Sequence, residues 1–206
     1  MIKIKIENEY SSLKTVILGI ANDIGEPPNI FDAYDPRSLY HAKNNSFPDE
    51  NDLIKNVEKF YNKLLKHNVE ILRPENIPNC NQIFTRDLGF VISNIFFISN
   101  IVPARQDEIQ GIENIIKNLD VGVIKLPEFM HIEGGDVVLH NGKLFIGTYL
   151  DANYSSLITA RTNIASIEYL KKMLPNIEII PIEIKKSNIN IFENTLHLDC
   201  CFQTVG

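Results

Sequence analysis

Residues suited to acid-base chemistry stand just before apolar runs at three places in this chain. The first stretch, "NQIFTRDLGF", holds Asn81 and Asp87; the second, "HIEGGDVV", holds Glu133; the third, "LHLDCCF", holds His197 and Asp199. Carboxylates and an imidazole can transfer protons and can neutralise a cation. Brought together, the three stretches would form an acid-base site.

Each stretch alone also has an ordinary structural interpretation. Asn81 could form a turn, Arg86 and Asp87 could be an exposed ion pair, "EGGD" could begin a hairpin, and a single histidine on a strand could be structural. The two glycines permit unusual torsions, or the close approach of a ligand or of the glutamate. His197 and Asp199 are two residues apart, which on a strand places both on one side and predicts a polar pocket.

The elements that would position these residues belong to an internal repeat. Helical patterns of apolar residues begin at Leu53, Ile109 and Ile164, at nearly constant separations. Each pattern is followed by a short apolar run that reaches a proline, namely "VEILRP", "VGVIKLP" and "IEIIP". The pattern predicts three helices, each followed by a strand.

The acidic stretches occupy the same place in each copy. Asp87, Asp136 and Asp199 each stand before an apolar run, and the first two runs continue through a turn into a second run, as in a hairpin. The unit is therefore strand, strand, helix, strand, about 54 residues long. Such units cannot cover their own apolar faces, so we predict an α/β propeller in which equivalent loops converge.

The third unit has only the start of its hairpin, at Cys200. We therefore expect residues 1–206 to be one propeller domain that lacks its C-terminal part, because a strand without a partner exposes an apolar edge. An edge closed by another subunit is the alternative, which would make the protein a homo-oligomer.

Composition excludes several classes of function. The net charge is -6 and the 20 Lys and Arg residues are scattered, which argues against nucleic acid. No signal peptide is recognisable and no apolar stretch approaches the roughly 20 residues of a membrane span, so a cytoplasmic location is expected. Cys80, Cys200 and Cys201 are badly spaced for a disulfide framework or a zinc site and are predicted to be buried.

A cluster of carboxylates needs a cation. A metal is one candidate, although none of the recognised metal spacings is present, and neither a metal nor a cofactor is predicted. A guanidinium is the other candidate, because its five donors call for carboxylates from more than one side. Loops from different repeats would provide them.

The ordered set "FTRD", "EGGD", "RTN" and "HLD" resembles the guanidino-modifying (pentein) superfamily of arginine deiminases, dimethylarginine dimethylaminohydrolases and amidinotransferases. The resemblance spans roughly residues 81–206. It implies a ring of strand-strand-helix-strand units, to which this chain would contribute an opening partial unit and the repeats above.

The resemblance also implies roles for individual residues. Asp87 and Asp199 would hold the guanidinium nitrogens, and Glu133 would pair with His197 for proton transfer. Asn81 and Arg161 match positions that bind the amino-acid end of the substrate; the alternative for Arg161 is a surface arginine that caps the turn before the third helix. The family nucleophile is a cysteine near the C-terminus, which neither Cys200 nor Cys201 matches. The roles of these two cysteines and of Asp136 stay open.

The expected function is hydrolysis of arginine or a related small cationic guanidino compound through a covalent cysteine intermediate in the complete protein. The 206-residue chain alone is expected to be inactive. Transfer of the amidino group to an amine is one alternative, and a non-catalytic propeller that serves as a binding module is another. A metal-dependent hydrolase is a third.

Overall fold

A computed structural model describes residues 2–205. This part of the chain contains four α-helices and ten strands, together with several 3₁₀ helices. The helices are α1 (Pro36–Asn44), α2 (Glu50–Lys66), α3 (Glu113–Lys117) and α4 (Ile164–Met173). The strands are β1 (Ile2–Lys3), β2 (Thr15–Ile17), β3 (Glu70–Leu72), β4 (Gly89–Ile92), β5 (Ile95–Ile98), β6 (Leu119–Asp120), β7 (Gly122–Lys125), β8 (Val137–His140), β9 (Lys143–Thr148) and β10 (Glu178–Glu183).

The predicted strand-strand-helix-strand unit occurs twice in complete form. In the first copy, β4 and β5 form an antiparallel hairpin, and β7 returns parallel to β5 after a 3₁₀ helix (Pro103–Ile112) and α3. In the second copy, β8 and β9 form the hairpin and β10 returns parallel to β9 after α4. Asn141 and Gly142 both have positive φ, as a type I′ hairpin turn requires.

The first part of the chain forms a partial unit. Strands β2 and β3 are parallel, and α1 and α2 connect them. Asp35 caps α1 by accepting hydrogen bonds from two backbone amides of its first turn, and Asp49 caps α2 in the same way with one amide. Strand β1 pairs with β6. The prediction of a mixed α/β fold built from repeats is confirmed.

The largest apolar core lies between the two complete units. It joins both three-stranded sheets to the buried face of α4. Phe90 and Phe97 stack across the first hairpin with ring centroids 5.1 Å apart. Each fully buried side chain there, such as Ile146 or Leu170, contributes roughly 1.5 to 3 kcal/mol. This core fixes one unit against the other and so fixes the loops at their ends.

Two predicted elements differ from the structure. The second helical pattern is a 3₁₀ helix followed by the short α3. Gly111 lies within this 3₁₀ helix; glycine disfavours an α-helix, and a Cβ there would lie 2.2 Å from the Gln82 side-chain nitrogen. The expected strand at Cys200 is absent from the described residues. Leu198–Cys200 form a 3₁₀ turn instead, and the Leu198 amide finds a side-chain acceptor where a strand would need a neighbouring strand.

Within residues 2–205, no helix is both long and apolar enough to cross a membrane.

Candidate functional site

Three short 3₁₀ turns meet at the site, and each contains one of the aspartates that are in register in the repeat. We call them the aspartate turns: Thr85–Leu88, Gly134–Asp136 and Leu198–Cys200. The first two lead directly into β4 and β8. Because the second turn packs against both others, the predicted convergence of equivalent loops is present for these three.

Close packing of the turns depends on the glycines of "EGGD". A Cβ on Gly134 would lie 2.1 Å from the Arg86 carbonyl oxygen. A Cβ on Gly135 would lie 2.8 Å from both Asp87 Oδ1 and His197 Cγ. Neither glycine has positive φ, so close approach is their function here, not an unusual torsion.

His197 lies between two carboxylates. Its Nε2 is 2.7 Å from Glu133 Oε2, and its Nδ1 is 3.5 Å from Asp87 Oδ1. All three residues are less than one-tenth exposed. The imidazole can therefore keep its Nε2 hydrogen-bonded to Glu133 while Nδ1, which faces Asp87, holds or delivers a proton.

Burial and pairing shift both members of the Glu133–His197 pair toward their charged forms. Burial would raise the pKa of Glu133, but the hydrogen bond from His197 and the charge of Arg161 outweigh it and lower this pKa to about 2. Burial would lower the pKa of His197, but the hydrogen bond to Glu133 and the charges of Asp87 and Asp136 raise it above its ordinary value. Glu133 is thus a carboxylate, and His197 favours the imidazolium.

This charged pair predicts a pH dependence of stability. The raised pKa of His197 stabilises the fold fully below about pH 6.5, the ordinary value, and the effect is lost as the pH rises through the folded pKa. The lowered pKa of Glu133 stabilises it above about pH 4.5, and the effect is lost toward pH 2. Between wild type and His197→Gln, we expect a larger difference in the free energy of unfolding at pH 5.5 than at pH 9, measured by urea denaturation. A difference that is constant or grows with pH would contradict the charged pair.

Arg161 is buried beside Glu133. Its Nη1 lies 3.1 and 3.2 Å from the two carboxylate oxygens, and the residue is 2% exposed. The alternative of a surface arginine is therefore wrong, and Asn163 caps α4 by accepting from the Ser166 amide. Arg161 Nη2 donates to the Tyr34 carbonyl at 3.5 Å, whereas Nε is buried without a partner in the described part of the chain.

Asp136 connects the segments that carry the other site residues. Its Oδ2 accepts from the Thr162 hydroxyl at 2.6 Å, and its Oδ1 accepts from the Leu198 amide at 3.0 Å. These donors directly follow Arg161 and His197 in the chain. One buried carboxylate therefore sets the positions of both segments relative to the "EGGD" turn.

Arg105 and Glu108 also belong to the site, although neither was predicted from the sequence. Arg105 Nη1 donates to Asp87 Oδ2 at 2.7 Å, and its Nε and Nη2 donate to the two oxygens of Glu108 at 2.6 and 2.8 Å. Both residues are almost fully buried. A signal was present in the repeat: Arg105 precedes the apolar residue Ile109 by four positions, and Arg161 precedes the equivalent residue by three.

Within the described residues, Asp199 forms its ion pair with Arg86 and not with His197. Because this segment is a 3₁₀ turn and not the predicted strand, Asp199 is directed toward Arg86, with its Oδ2 3.8 Å from Arg86 Nε. Its side chain is 24% exposed. Arg86 also pairs with Glu9 at 3.0 Å, so the alternative of an Arg86–Asp87 ion pair is wrong.

Asn81 lies in a loop that is held in place by hydrogen bonds of its neighbour, Gln82. The Asn81 side chain accepts from the Ile83 amide at 3.2 Å, which is a local turn contact. Gln82 is buried and joins the Ile77 amide to the Glu75 carbonyl. A contact between Asn81 and a substrate stays a prediction.

The cysteines differ from their prediction. Cys200 and Cys201 are exposed and Cys80 is half-buried, so they are not core residues. Burial raises the pKa of Cys80 to about 11, and it also raises the pKa of Cys200. These two thiols are therefore mostly protonated near neutral pH.

The carboxylates of the site already have cationic partners. Asp87, Glu133 and His197 offer ligand atoms that lie within 4.8 Å of one another, a separation that a metal ion could bridge. Two of these residues, however, contact guanidinium groups of the chain itself, Arg105 on Asp87 and Arg161 on Glu133. In this arrangement carboxylates approach a guanidinium from more than one side, as Asp87 and Glu108 do at Arg105.

Comparison with known proteins supports the fold. No protein family model matches the chain. A Bacillus subtilis (strain 168) protein, the uncharacterized YkgA, is 31% identical over 166 residues, which are 78% of this chain and 52% of YkgA. The inosamine-phosphate amidinotransferase StrB1 of Streptomyces griseus matches 91% of this chain and 65% of its own, with TM-score 0.69 and 12% identity. The N-terminal domain of ArgZ, a cyanobacterial arginine dihydrolase, matches 91% and 61%, with TM-score 0.65 and 17% identity.

These matches show the pentein fold, which the sequence predicted. A dimethylarginine dimethylaminohydrolase has it too. This chain spans about half the length of its curated relative and less than two thirds of the solved chains.

Proposed function

We propose that this chain, which has the pentein fold, forms the acid-base and substrate-binding part of an enzyme that modifies guanidino groups. In the whole protein the reaction is hydrolysis of a C–N bond of arginine or a related compound through a covalent cysteine intermediate. The observation that carries the proposal is the buried His197 between Glu133 and Asp87, beside carboxylates that already hold a guanidinium.

The proton transfers follow from the geometry of His197. A cysteine thiolate adds to the guanidinium carbon, and the tetrahedral adduct expels an amine that takes the proton from His197 Nδ1. His197, now neutral, removes a proton from water as the water attacks the amidino carbon, and the thiolate leaves. Glu133 keeps its hydrogen bond with Nε2 through both steps. This hydrogen bond orients the imidazole ring and keeps it basic enough to accept the proton from water.

The nucleophile is proposed to be a cysteine other than the three in these 206 residues. None of Cys80, Cys200 and Cys201 matches the position of the family nucleophile. The raised pKa values of Cys80 and Cys200 also make these thiols poor nucleophiles.

Binding of an amino-acid end group is proposed for Arg161 together with Asn81. The Nε and Nη2 atoms of Arg161 lie on the same edge of the guanidinium, and the only contact on that edge within the described residues is a long one with the Tyr34 carbonyl. A carboxylate can accept from both atoms at once. Asp87 and the partly exposed Asp199 would then hold the guanidinium end.

Transfer of the amidino group to an amine is the second candidate function, because the amidinotransferase StrB1 and the arginine dihydrolase ArgZ both have this fold. The same His197 would then activate an amine in place of water. Assays of the complete gene product with arginine, with and without glycine, separate the two: citrulline indicates hydrolysis, whereas ornithine with guanidinoacetate indicates transfer.

Binding of arginine to this chain tests the proposal without requiring turnover. In calorimetric titrations we expect Asp87→Asn to weaken arginine binding at least tenfold, because a charged hydrogen bond of about 1.5 to 3 kcal/mol is lost. Agmatine, which lacks the carboxylate, is expected to bind more weakly than arginine. The matched control is Asp107→Asn, an exposed aspartate outside the site.

Four results would count against these assignments. Equal binding of arginine by wild type and Asp87→Asn would remove the guanidinium site, and equal binding of agmatine and arginine would remove the carboxylate role of Arg161. In the complete protein, loss of activity to chelators but not to thiol alkylation would favour a metal-dependent hydrolase. Tight binding with no turnover and tolerance of His197→Ala would favour a non-catalytic binding module.

A further inference from the structure

The side-chain ammonium of Lys186 contacts the backbone just before His197. Its ammonium nitrogen donates hydrogen bonds to the Leu196 carbonyl at 2.7 Å and to the Thr195 carbonyl at 3.0 Å. These two carbonyls belong to the residues immediately before His197. One side chain therefore holds two consecutive backbone groups at the entrance to the catalytic segment.

The same region is closed by further contacts that keep Lys186 in place. The Thr195 amide donates to the Lys185 carbonyl at 2.9 Å, and the Ser187 amide donates to the Asn194 side chain at 3.2 Å. The chain between these residues makes a loop whose base is fixed on both sides of Lys186. The ammonium is thus held by the fold and does not depend on a flexible surface contact.

On the C-terminal side of His197, a buried carboxylate holds the backbone. The Leu198 amide donates to the buried carboxylate of Asp136 at 3.0 Å. The backbone of His197 itself is extended, with φ -134° and ψ 163°. The ammonium of Lys186 thus holds the backbone before His197, and the carboxylate of Asp136 holds the backbone after it. Together they fix the position from which the imidazole extends.

Lys186 also belongs to the charge balance of the site. Burial lowers its pKa to about 8, against the opposing effect of Asp136, and it remains mostly an ammonium at neutral pH. The charged or titratable groups that act on it are Asp136, Glu133, Arg161 and Cys200. Loss of this ammonium would leave two carbonyls without their donor and would remove one of the two cations, His197 being the other, that act on Asp136.

We propose that Lys186 is a positioning residue that holds His197 against Glu133. The proposal rests on the proposed function only in that His197 is then the proton-transfer residue. Because Lys186 contacts the backbone and not the ring, its effect must pass through the placement of His197.

The test is an NMR titration of the His197 ring in four proteins: wild type, Lys186→Met, Lys186→Arg and Lys185→Met. In Lys186→Met the hydrogen bond between His197 and Glu133 is weakened, so we expect the raised pKa of His197 to fall toward its ordinary value. Lys186→Arg keeps the cation and its donors and is expected to restore most of the difference. Lys185→Met is the matched control, because within residues 2–205 its side chain forms an ion pair only with the exposed Glu193.

Other outcomes overturn the proposal. An unchanged pKa of His197 in Lys186→Met, with only a lower melting temperature, would make Lys186 merely structural. A rise in this pKa would mean that Lys186 acts only by repelling the imidazolium proton. If Lys186→Met does not fold, Lys186→Gln replaces it, because glutamine keeps a donor without the charge. A fall in the pKa of His197 in Lys186→Gln would then support the proposal, and an unchanged pKa would overturn it. Since the ring titration requires no turnover, failure of the arginine-binding test leaves this result interpretable.

Discussion

Glu133→Gln is expected to lower the free energy of unfolding by about 3 to 5 kcal/mol at pH 6. Glutamine has nearly the same shape, so no cavity forms, but Arg161 is left as a buried guanidinium without its carboxylate. The charge-assisted hydrogen bond with His197 is lost at the same time. Urea denaturation of both proteins measures the difference.

Glu128→Gln is the control for this experiment, because Glu128 is exposed and lies in the same loop region. A double-mutant cycle with Arg161→Met separates the pair from its surroundings, and the double variant should recover part of the lost stability since no buried charge is left unpaired. A loss below about 1 kcal/mol for Glu133→Gln, as for a surface pair, would show that the site is more hydrated than its burial indicates.

Arg105→Ala is expected to have an effect of similar size, about 3 to 5 kcal/mol at pH 7. It removes the guanidinium that lies between Asp87 and Glu108, so these two buried carboxylates lose the cation that separates them. Burial already raises the pKa of Glu108 even with Arg105 present. Protonation of Glu108 should therefore restore part of the stability, and the variant should lose less relative to wild type at pH 5 than at pH 7.

A small guanidinium compound should also restore stability in this variant. The cavity left by Arg105→Ala has the carboxylates that held the original group, so methylguanidinium at millimolar concentration is expected to raise the melting temperature more than sodium chloride at equal ionic strength. Arg37→Ala, an exposed position, is the control. Equal effects of the two salts would show that the carboxylates do not form a guanidinium site.

The repeat was predictable from sequence because each of its parts has a strong local signal. Apolar periodicity marks α2 and α4, and the "HNGK" turn marks the second hairpin. The placement of Glu133 beside His197 followed from the resemblance and the convergence of loops. The repeat and the Glu133–His197 pairing could therefore be predicted from patterns within this one sequence.

The remaining features depend on contacts between distant segments. The alternation of "LHLD" is typical of a strand, but a strand forms only where a neighbour accepts its hydrogen bonds, and Asp136 binds this segment instead. Arg105 and Glu108 have the spacing of an exposed helical ion pair, and only their burial against Asp87 distinguishes them from one. Comparison of the two helix starts could have identified Arg105, but it could not have identified its partner.

The convergence of the three aspartate turns also has a consequence for folding. Glu133 and His197 are 64 residues apart in the chain, and Arg161 and Tyr34 are 127 apart. Closing such long loops is entropically costly and slow, whereas each hairpin can form from neighbouring residues. We therefore expect the hairpins to form before the site does, and partial unfolding that separates the units to pull the proton-transfer residues apart while most strands remain paired.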